Sequence, residues 1–392
     1  MIAQPNLRPA RPHFSSGPTA KRPGWSPDVL AGAAVSRLHR SPASNAKAHE
    51  LIARSRRLLG LPDDFSLAIV PGSDSGAFES AMWNLLGPRG VDCVWSDAFG
   101  ARWHHIARDR LRLPDVRQIA APYGRLPDLN RVDWSRDVTF VWNATAGGVC
   151  IPDGHWIAAD RQGLAMCDAT SAAFAMTLPW EKLDVVTWSW QKVMGGEGAH
   201  GMLALGPRAI DRLRAHTPSW PLPWLYQLTA NGEPLDHVWR GEAINTISML
   251  CVEDALDALG WMESIGGIPE VIRRSRDNYR RIEDWVERTD WVAFLAADQA
   301  SRSWTSVCLN PVAPWYTALP ERARAATIDS LAGTLERHGV AFDIKTYRDA
   351  PPGLRLWAGA TVDGADLDAL FPWLDWGWEQ ARLASSAGVV SV

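Results

Sequence analysis

One lysine stands where a cation is costly. Lys192 lies between an apolar, tryptophan-rich run and a glycine cluster in "VVTWSWQKVMGGEGAHGMLALG", residues 185–206. Desolvation disfavours a charged amine and lowers its pKa. A neutral amine in such a setting is a nucleophile that forms a Schiff base with an aldehyde or ketone. The ordinary use of a lysine at a strand end is to snorkel to water; the apolar run before it and the glycines after it favour the chemical use. Gly196, Gly198 and Gly201 also spell G-x-G-x-x-G. That dinucleotide fingerprint must follow a strand and open a helix. Here the glycines lead into "MLALG", another short apolar strand, so the dinucleotide reading is set aside.

Other residues point the same way. Asp168, in "MCDATSA", ends the strand before the lysine strand. It serves either as the N-cap of the segment from Ala169 or as a carboxylate close to Lys192. A Schiff-base lysine with an aspartate on the pyridine nitrogen is what a protein contributes to pyridoxal phosphate chemistry; position alone does not separate the two uses. "PGSDSGAFES" places small residues between a strand and a helix, either as a plain cap or as a phosphate site built from helix-start N–H groups. "RLHRSP" gathers Arg37, His39 and Arg40, either as a solvated loop or as an anion site. Arg355 lies inside the apolar strand "GLRLWAGA", which makes it a candidate carboxylate clamp.

The elements that must position these residues alternate. "ASNAKAHELIARSRRLLG" predicts a helix stopped by Gly60 and Pro62. "SLAIVPG", "VDCVWSDAFG", "DVTFVWNATAGGV", "GLAMCDATSA" and "LDVVTWSWQK" predict strands, with helices over "SGAFESAMWNLLG" and "ARWHHIARDRLR". The strands are continuously apolar, the mark of a parallel sheet covered by helices on both faces. Ligands bind outside the carboxyl ends of such strands, and the polar residues sit there: 73–75, 97–99, 143–145, Asp168 and Lys192. After about residue 262 the pattern changes to a helix, a Gly-Gly-x-Pro break and a long amphipathic helix. Strand material at "SWTSVCLN", a helix over 321–338, a strand pair at "VAFDIKTY" and "GLRLWAGA", and a last helix over 364–384 follow.

The chain has 392 residues, of which 46% are hydrophobic and 21% charged, as in ordinary globular proteins. No run reaches the about 18 apolar residues a membrane helix needs. A net charge of -4 gives no nucleic-acid or membrane signal. Five widely spaced cysteines without C-x-x-C argue against disulfides or a zinc site and fit a reducing cytoplasm. The 22 tryptophans are unusual and read as core and interface filler.

Taken together, "FSSGPTAKRPGW", "HRSP", "VPGSDSGAFE", "FVWNATAGGV", "CDATSA", "TWSWQKVMGGEGAHGM", "TPSWPLP", "INTISML" and "DIKTYRDAPPGLRLWAGATV" resemble the phosphoserine aminotransferase family. These are class V, fold-type I pyridoxal phosphate enzymes, and the resemblance is closest to the branch of methanogens and many proteobacteria. It spans nearly the whole chain and begins by about Pro12, which leaves too little ahead of it for a typical presequence. It implies an α/β fold: a large domain with a mostly parallel sheet between helices, plus a smaller α+β C-terminal domain. The expected divisions are an N-terminal arm over 1–16, a large cofactor domain over 17–262 and a small domain over 263–392.

The resemblance also implies roles. Lys192 would carry pyridoxal 5'-phosphate and shuttle the substrate proton. Asp168 would pair with the pyridine nitrogen, Phe99 would stack on the ring and Thr145 would approach the ring hydroxyl. Asp74 and Ser75, through their backbone, and Gln191 would hold the cofactor phosphate. Asn245 and Thr246 would reach it from the other subunit of a homodimer. Arg355 and Ser16 would bind the substrate α-carboxylate; His39 and Arg40 would meet its phosphate or distal carboxylate. Ser75 stands where many relatives have an arginine that assists the substrate phosphate. The implied reaction passes the amino group of glutamate to 3-phosphohydroxypyruvate in serine biosynthesis, with an extension to 4-phosphohydroxythreonine in vitamin B6 synthesis. The competing reading is another class V transaminase, acting on alanine and glyoxylate or serine and pyruvate.

Overall fold

Strands buried on both faces build the centre of the molecule, seen here in a computed structural model that describes residues 2–386. The large sheet has seven strands: β1 (Ser66–Pro71), β2 (Val91–Trp95), β3 (Val116–Ala120), β4 (Asp137–Val141), β5 (Ala165–Asp168), β6 (Val185–Ser189) and β7 (His200–Leu205). Their spatial order is β1-β7-β6-β5-β4-β2-β3. The ladders from β6 across to β3 are parallel, whereas β7 runs antiparallel to both β6 and β1. Alternate side chains feed two cores. Leu67 and Ile69 of β1 join one, and Ala68 and Val70 join the other.

The helices that cover the faces follow from local signals. α1 (Pro42–Leu59) starts at an N-cap Ser41 with proline in its first turn, and ends at Gly60 with φ of 61°. α2 (Ser73–Leu85) packs on β7 and β6, and α3 (Ala98–His105) packs on β2. α4 (Pro207–Ala215) follows β7, and α5 (Met249–Ser264) lies along α1. A Gly266-Gly267 turn separates α5 from α6 (Ile268–Glu287), which has Pro269 in its first turn. No described helix is long and apolar enough to cross a membrane.

The C-terminal part is a three-stranded antiparallel sheet of β8 (Val292–Phe294), β9 (Ser306–Pro311) and β10 (Leu354–Trp357) with α6, α7 (Glu321–Arg337) and α8 (Gly364–Ser386). The last residues of the expected small domain, 387–392, lie outside the described residues. The N-terminal segment packs on this part: Ala10 N donates to Asp366 Oδ1 at 2.7 Å, and Trp357 N to Phe14 O at 3.0 Å. One expectation fails. "VAFDIKTY" forms no strand beside β10, only an isolated bridge between Lys345 and Leu354. Asp343, at φ of 55°, breaks the extended run that a ladder needs.

The tryptophan excess has a partial explanation here. Trp291 and Trp378 stack at 4.5 Å, and Trp285 stacks on Phe371 at 5.1 Å. Asp375 of α8 accepts from Trp291 Nε1 at 2.9 Å and from Trp285 Nε1 at 3.4 Å. Burial raises its pKa, and the two indoles oppose that rise. Asp375→Ala strands two buried donors, and we expect a loss of about 2 kcal/mol in unfolding free energy. Urea denaturation checks this; a change under about 0.5 kcal/mol would assign the indoles other partners.

Candidate active site

The parallel strands deliver their ends to one edge of the sheet, where a cavity of about 390 Å³ opens. Lys192 lies three residues beyond the end of β6, and its backbone is fastened there. Its carbonyl accepts from Thr19 Oγ1 at 2.5 Å and from Gly195 N at 2.9 Å. Its Nζ donates to Ser16 O at 2.6 Å. A side chain on Gly17 would collide with that amine, so glycine leaves the lysine its space. Burial, then the positive field of Arg355, pushes the Lys192 pKa down to about 8, against the opposing pull of Asp168, Asp74 and Asp97.

Those three aspartates set this edge apart. At the amino edge, buried acids are matched with arginines: Asp92 with Arg136, Asp137 with Arg212 and Asp184 with Arg161. At the carboxyl edge, Asp74, Asp97 and Asp168 have no ion-pair partner among the described residues. Asp168 is instead held by dipoles. Its Oδ1 accepts from Thr170 N at 3.0 Å and Thr170 Oγ1 at 2.6 Å, and its Oδ2 from Trp103 Nε1 at 3.0 Å. Asp97 caps α3, accepting from Phe99 N and Gly100 N, and ties in Ala146 N. That cap fixes Phe99, whose ring centre is 5.9 Å from Lys192 Nζ.

The other end of the cavity is the start of α2. Gly72 caps this helix with no side-chain hydrogen bond, and the amides of Asp74 and Ser75 have no partner among the described residues. Unpaired N–H groups at a helix N-terminus attract an anion. A side chain on Gly201 would strike the backbone of Ser73, so that glycine admits the helix start against β7. This gives the glycine cluster a packing role, and β7 is a strand, as a dinucleotide fingerprint forbids.

Asp74, Ser75, Phe99 and Thr145 line this cavity, and so do Asp168, Gln191 and Lys192. Ser16 meets Lys192 through its carbonyl; its Oγ lies 3.3 Å from Ser306 Oγ and is buried. Arg355 on β10 acts on Lys192 through its charge, and its Nε is buried without a hydrogen-bond partner. Neither Ser16 nor Arg355 is among the lining residues, and nor are His39, Arg40, Asn245 and Thr246. These last four lie on neighbouring segments, with Arg40 Nη2 donating to Ala243 O at 3.3 Å. Asn143, one of the strand-end residues at 143–145, lines the cavity as well, and Trp103 and Tyr347 line it without having been expected. Tyr347 reaches in from the C-terminal part and packs on Phe99, ring centres 5.1 Å apart. Arg102 Nη1 donates to Ser75 Oγ at 3.2 Å, which puts a guanidinium beside the start of α2.

The site therefore offers an amine with a depressed pKa, an aromatic wall, a carboxyl at one end and free amides at the other. The buried Gln191 Oε1 and Asp74 Oδ1 also lack partners. This donor set fits a flat heteroaromatic aldehyde bearing an anionic group, which is the chemistry of pyridoxal phosphate. No cysteine is among the residues lining this cavity, and burial pushes Cys93, Cys150 and Cys308 up to about 12.

No family model matches the chain. The chain is similar to a phosphoserine aminotransferase of Methanosarcina barkeri, 48% identical over 97% of this chain and 100% of the relative. In structure it resembles a phosphoserine aminotransferase of Cytophaga hutchinsonii, with a TM-score of 0.77 and 18% identity, covering 93% of this chain and 98% of that one. It resembles equally a ureidoglycine–glyoxylate aminotransferase of Bacillus subtilis, with a TM-score of 0.77 and 14% identity over 97% and 95% of the two chains. The shape alone is thus shared among transaminases, and the identity to the Methanosarcina protein is what discriminates. On that identity and coverage, the chain belongs to the phosphoserine aminotransferase family, transaminases that depend on pyridoxal phosphate.

Proposed function

We propose that this chain transfers the amino group of glutamate to 3-phosphohydroxypyruvate, giving O-phosphoserine and 2-oxoglutarate in serine biosynthesis. The observation that carries this reading is the 48% identity over 97% of the chain to a phosphoserine aminotransferase. When bound, pyridoxal phosphate accepts the electron pair left on the substrate carbon as its proton departs. Lys192 holds the cofactor, then takes that proton and returns it as general base and acid. Asp168 meets the ring nitrogen, Phe99 covers the ring and Thr145 faces its hydroxyl. The amides of Asp74 and Ser75, with Gln191, hold the phosphate. Arg355 and Ser16 receive the substrate α-carboxylate.

Asn245 and Thr246 act in the cavity of a second copy in a cytoplasmic homodimer, and His39 and Arg40 meet the substrate's phosphate or distal carboxylate. Two observations support this. His39 Nε2 and Asn245 Oδ1 are buried without partners, and Val35, Leu38, Trp224 and Leu225 leave apolar surface exposed. The N-terminal arm is assigned to 1–16, the cofactor domain to 17–262 and the small domain to 263–392. Action on 4-phosphohydroxythreonine in vitamin B6 synthesis uses the same two-anion recognition.

A coupled assay with glutamate, offering 3-phosphohydroxypyruvate, pyruvate and glyoxylate in parallel, tests the substrate. Phosphohydroxypyruvate is expected to lead by at least about 100-fold in kcat/KM, the worth of a charged two-bond contact. Equal rates on pyruvate would overturn the assignment and leave the cofactor untouched. A second expectation concerns Lys192. With its pKa at about 8, roughly one amine in ten is neutral at pH 7. The rate of cofactor attachment to the cofactor-free protein should rise with pH and level off above about 8. Stopped-flow absorbance reads it; a rise continuing toward the ordinary lysine range would deny the depressed amine.

A further inference from the structure

The floor of the cavity holds two carboxyls. Asp168 is furnished with three donors, from Thr170 N, Thr170 Oγ1 and Trp103 Nε1. Asp74 sits in the first turn of α2 and lines the same cavity as Asp168 and Thr170. It is 5% exposed, and its Oδ1 is buried without a hydrogen-bond partner, as is Thr187 Oγ1. No lysine, arginine or histidine forms an ion pair with it among the described residues. Cys167, behind the pair, and Lys192, across the cavity, are the other titratable groups that sense its charge.

Two buried carboxylates in one cavity, with no cation paired to either, do not both keep a charge; one takes a proton. The proton goes to the member with fewer donors, since donors stabilise the ionised form. That member is Asp74. The start of α2 favours a charge at Asp74, but such helix-end effects are small beside the cost of a buried, unpaired ion. Burial first, and the charge of Asp168 second, raise the Asp74 pKa well above its ordinary value.

We propose that Asp74 is a neutral carboxylic acid that donates a hydrogen bond to Asp168, a positioning residue that keeps the cavity floor at a single negative charge. This rests on the reading that Asp168 meets the cofactor's ring nitrogen. One carboxylate then faces one protonated nitrogen. A second ionised carboxyl would leave a surplus negative charge near Lys192 and favour its protonated, unreactive form.

Infrared difference spectroscopy on the holoenzyme and on the cofactor-free chain, at neutral pH, tests it. A protonated-carboxyl carbonyl band is expected in the unaltered protein and is lost in Asp74→Asn, while Asp168→Asn retains it. The asparagine amide still donates a hydrogen bond, so Asp74→Asn is expected to hold pyridoxal phosphate within a few-fold of the unaltered protein. Asp74→Ala is expected to bind it roughly tenfold more weakly, the worth of one hydrogen bond to a charged acceptor. Absence of the band in the unaltered protein, its persistence in Asp74→Asn, or failure of asparagine to rescue the alanine defect overturns the proposal. If Asp168→Asn binds the cofactor undiminished, the ring-nitrogen reading fails instead, and the band at Asp74 is judged separately.

Discussion

Replacing Lys192 with alanine is expected to lower kcat by about 10⁴-fold or more, since it removes both the nucleophile and the proton carrier. The loss should fall on kcat and not on folding. The lysine side chain contributes one hydrogen bond, to Ser16 O, while its backbone bonds to Thr19 and Gly195 remain in the variant. Removing the amine also relieves the cavity of a cation that burial disfavours. The variant should therefore unfold at an unchanged or slightly higher temperature. Borohydride treatment followed by peptide mapping gives an independent readout. The unaltered protein fixes the cofactor on the peptide that carries residue 192, and the variant fixes none. Turnover within about tenfold of the unaltered enzyme would remove Lys192 from the centre of the reaction.

Asp168→Asn is the second large effect. Asparagine matches the size of aspartate, and with its carbonyl at the Oδ1 position it keeps both bonds from Thr170, losing only the bond from Trp103 Nε1 where its amide nitrogen replaces Oδ2, so the local fold is largely preserved. What disappears is the negative charge that keeps a ring nitrogen protonated and able to draw electrons. A fall in kcat of roughly 10²–10⁴-fold is expected, the range for removing a charge aimed at a transition state. Cofactor affinity should fall about 10–100-fold, as for a lost charged hydrogen bond. The split matters: saturating the variant with cofactor should restore occupancy but not rate. Full recovery at high cofactor would reduce Asp168 to a binding contact.

Much of this was legible in the residues. The alternation of apolar strands with helices required a covered parallel sheet, and the sheet's carboxyl edge is where Lys192, Asp168, Phe99 and the start of α2 meet. Each was visible because it sits at a boundary with its own signal: a glycine turn, a cap or an abrupt polar residue after an apolar run. Tyr347 had no such signal. It reaches the cavity from the C-terminal part, and nothing in the sequence near position 347 points to Phe99. Trp103 was hidden among 22 tryptophans. Arg102 was hidden because its use depends on a helix turn that aims it at Ser75. Asp74 was expected at the phosphate end through its backbone; its buried side chain, sharing a cavity with Asp168, had no signal of its own. That burial comes from packing and not from the local pattern. The failed strand at "VAFDIKTY" has the same origin, one residue with a positive φ inside an otherwise extended run.

The cavity is bounded at one side by Gly17 and at another by Tyr347, and Phe14 is bonded to Trp357 across the same edge. All but one of the lining residues lie before position 200, so a chain cut short of Tyr347 would keep the lysine and most of its surroundings and lose one wall. The site thus ties the two ends of the sequence together at a single place.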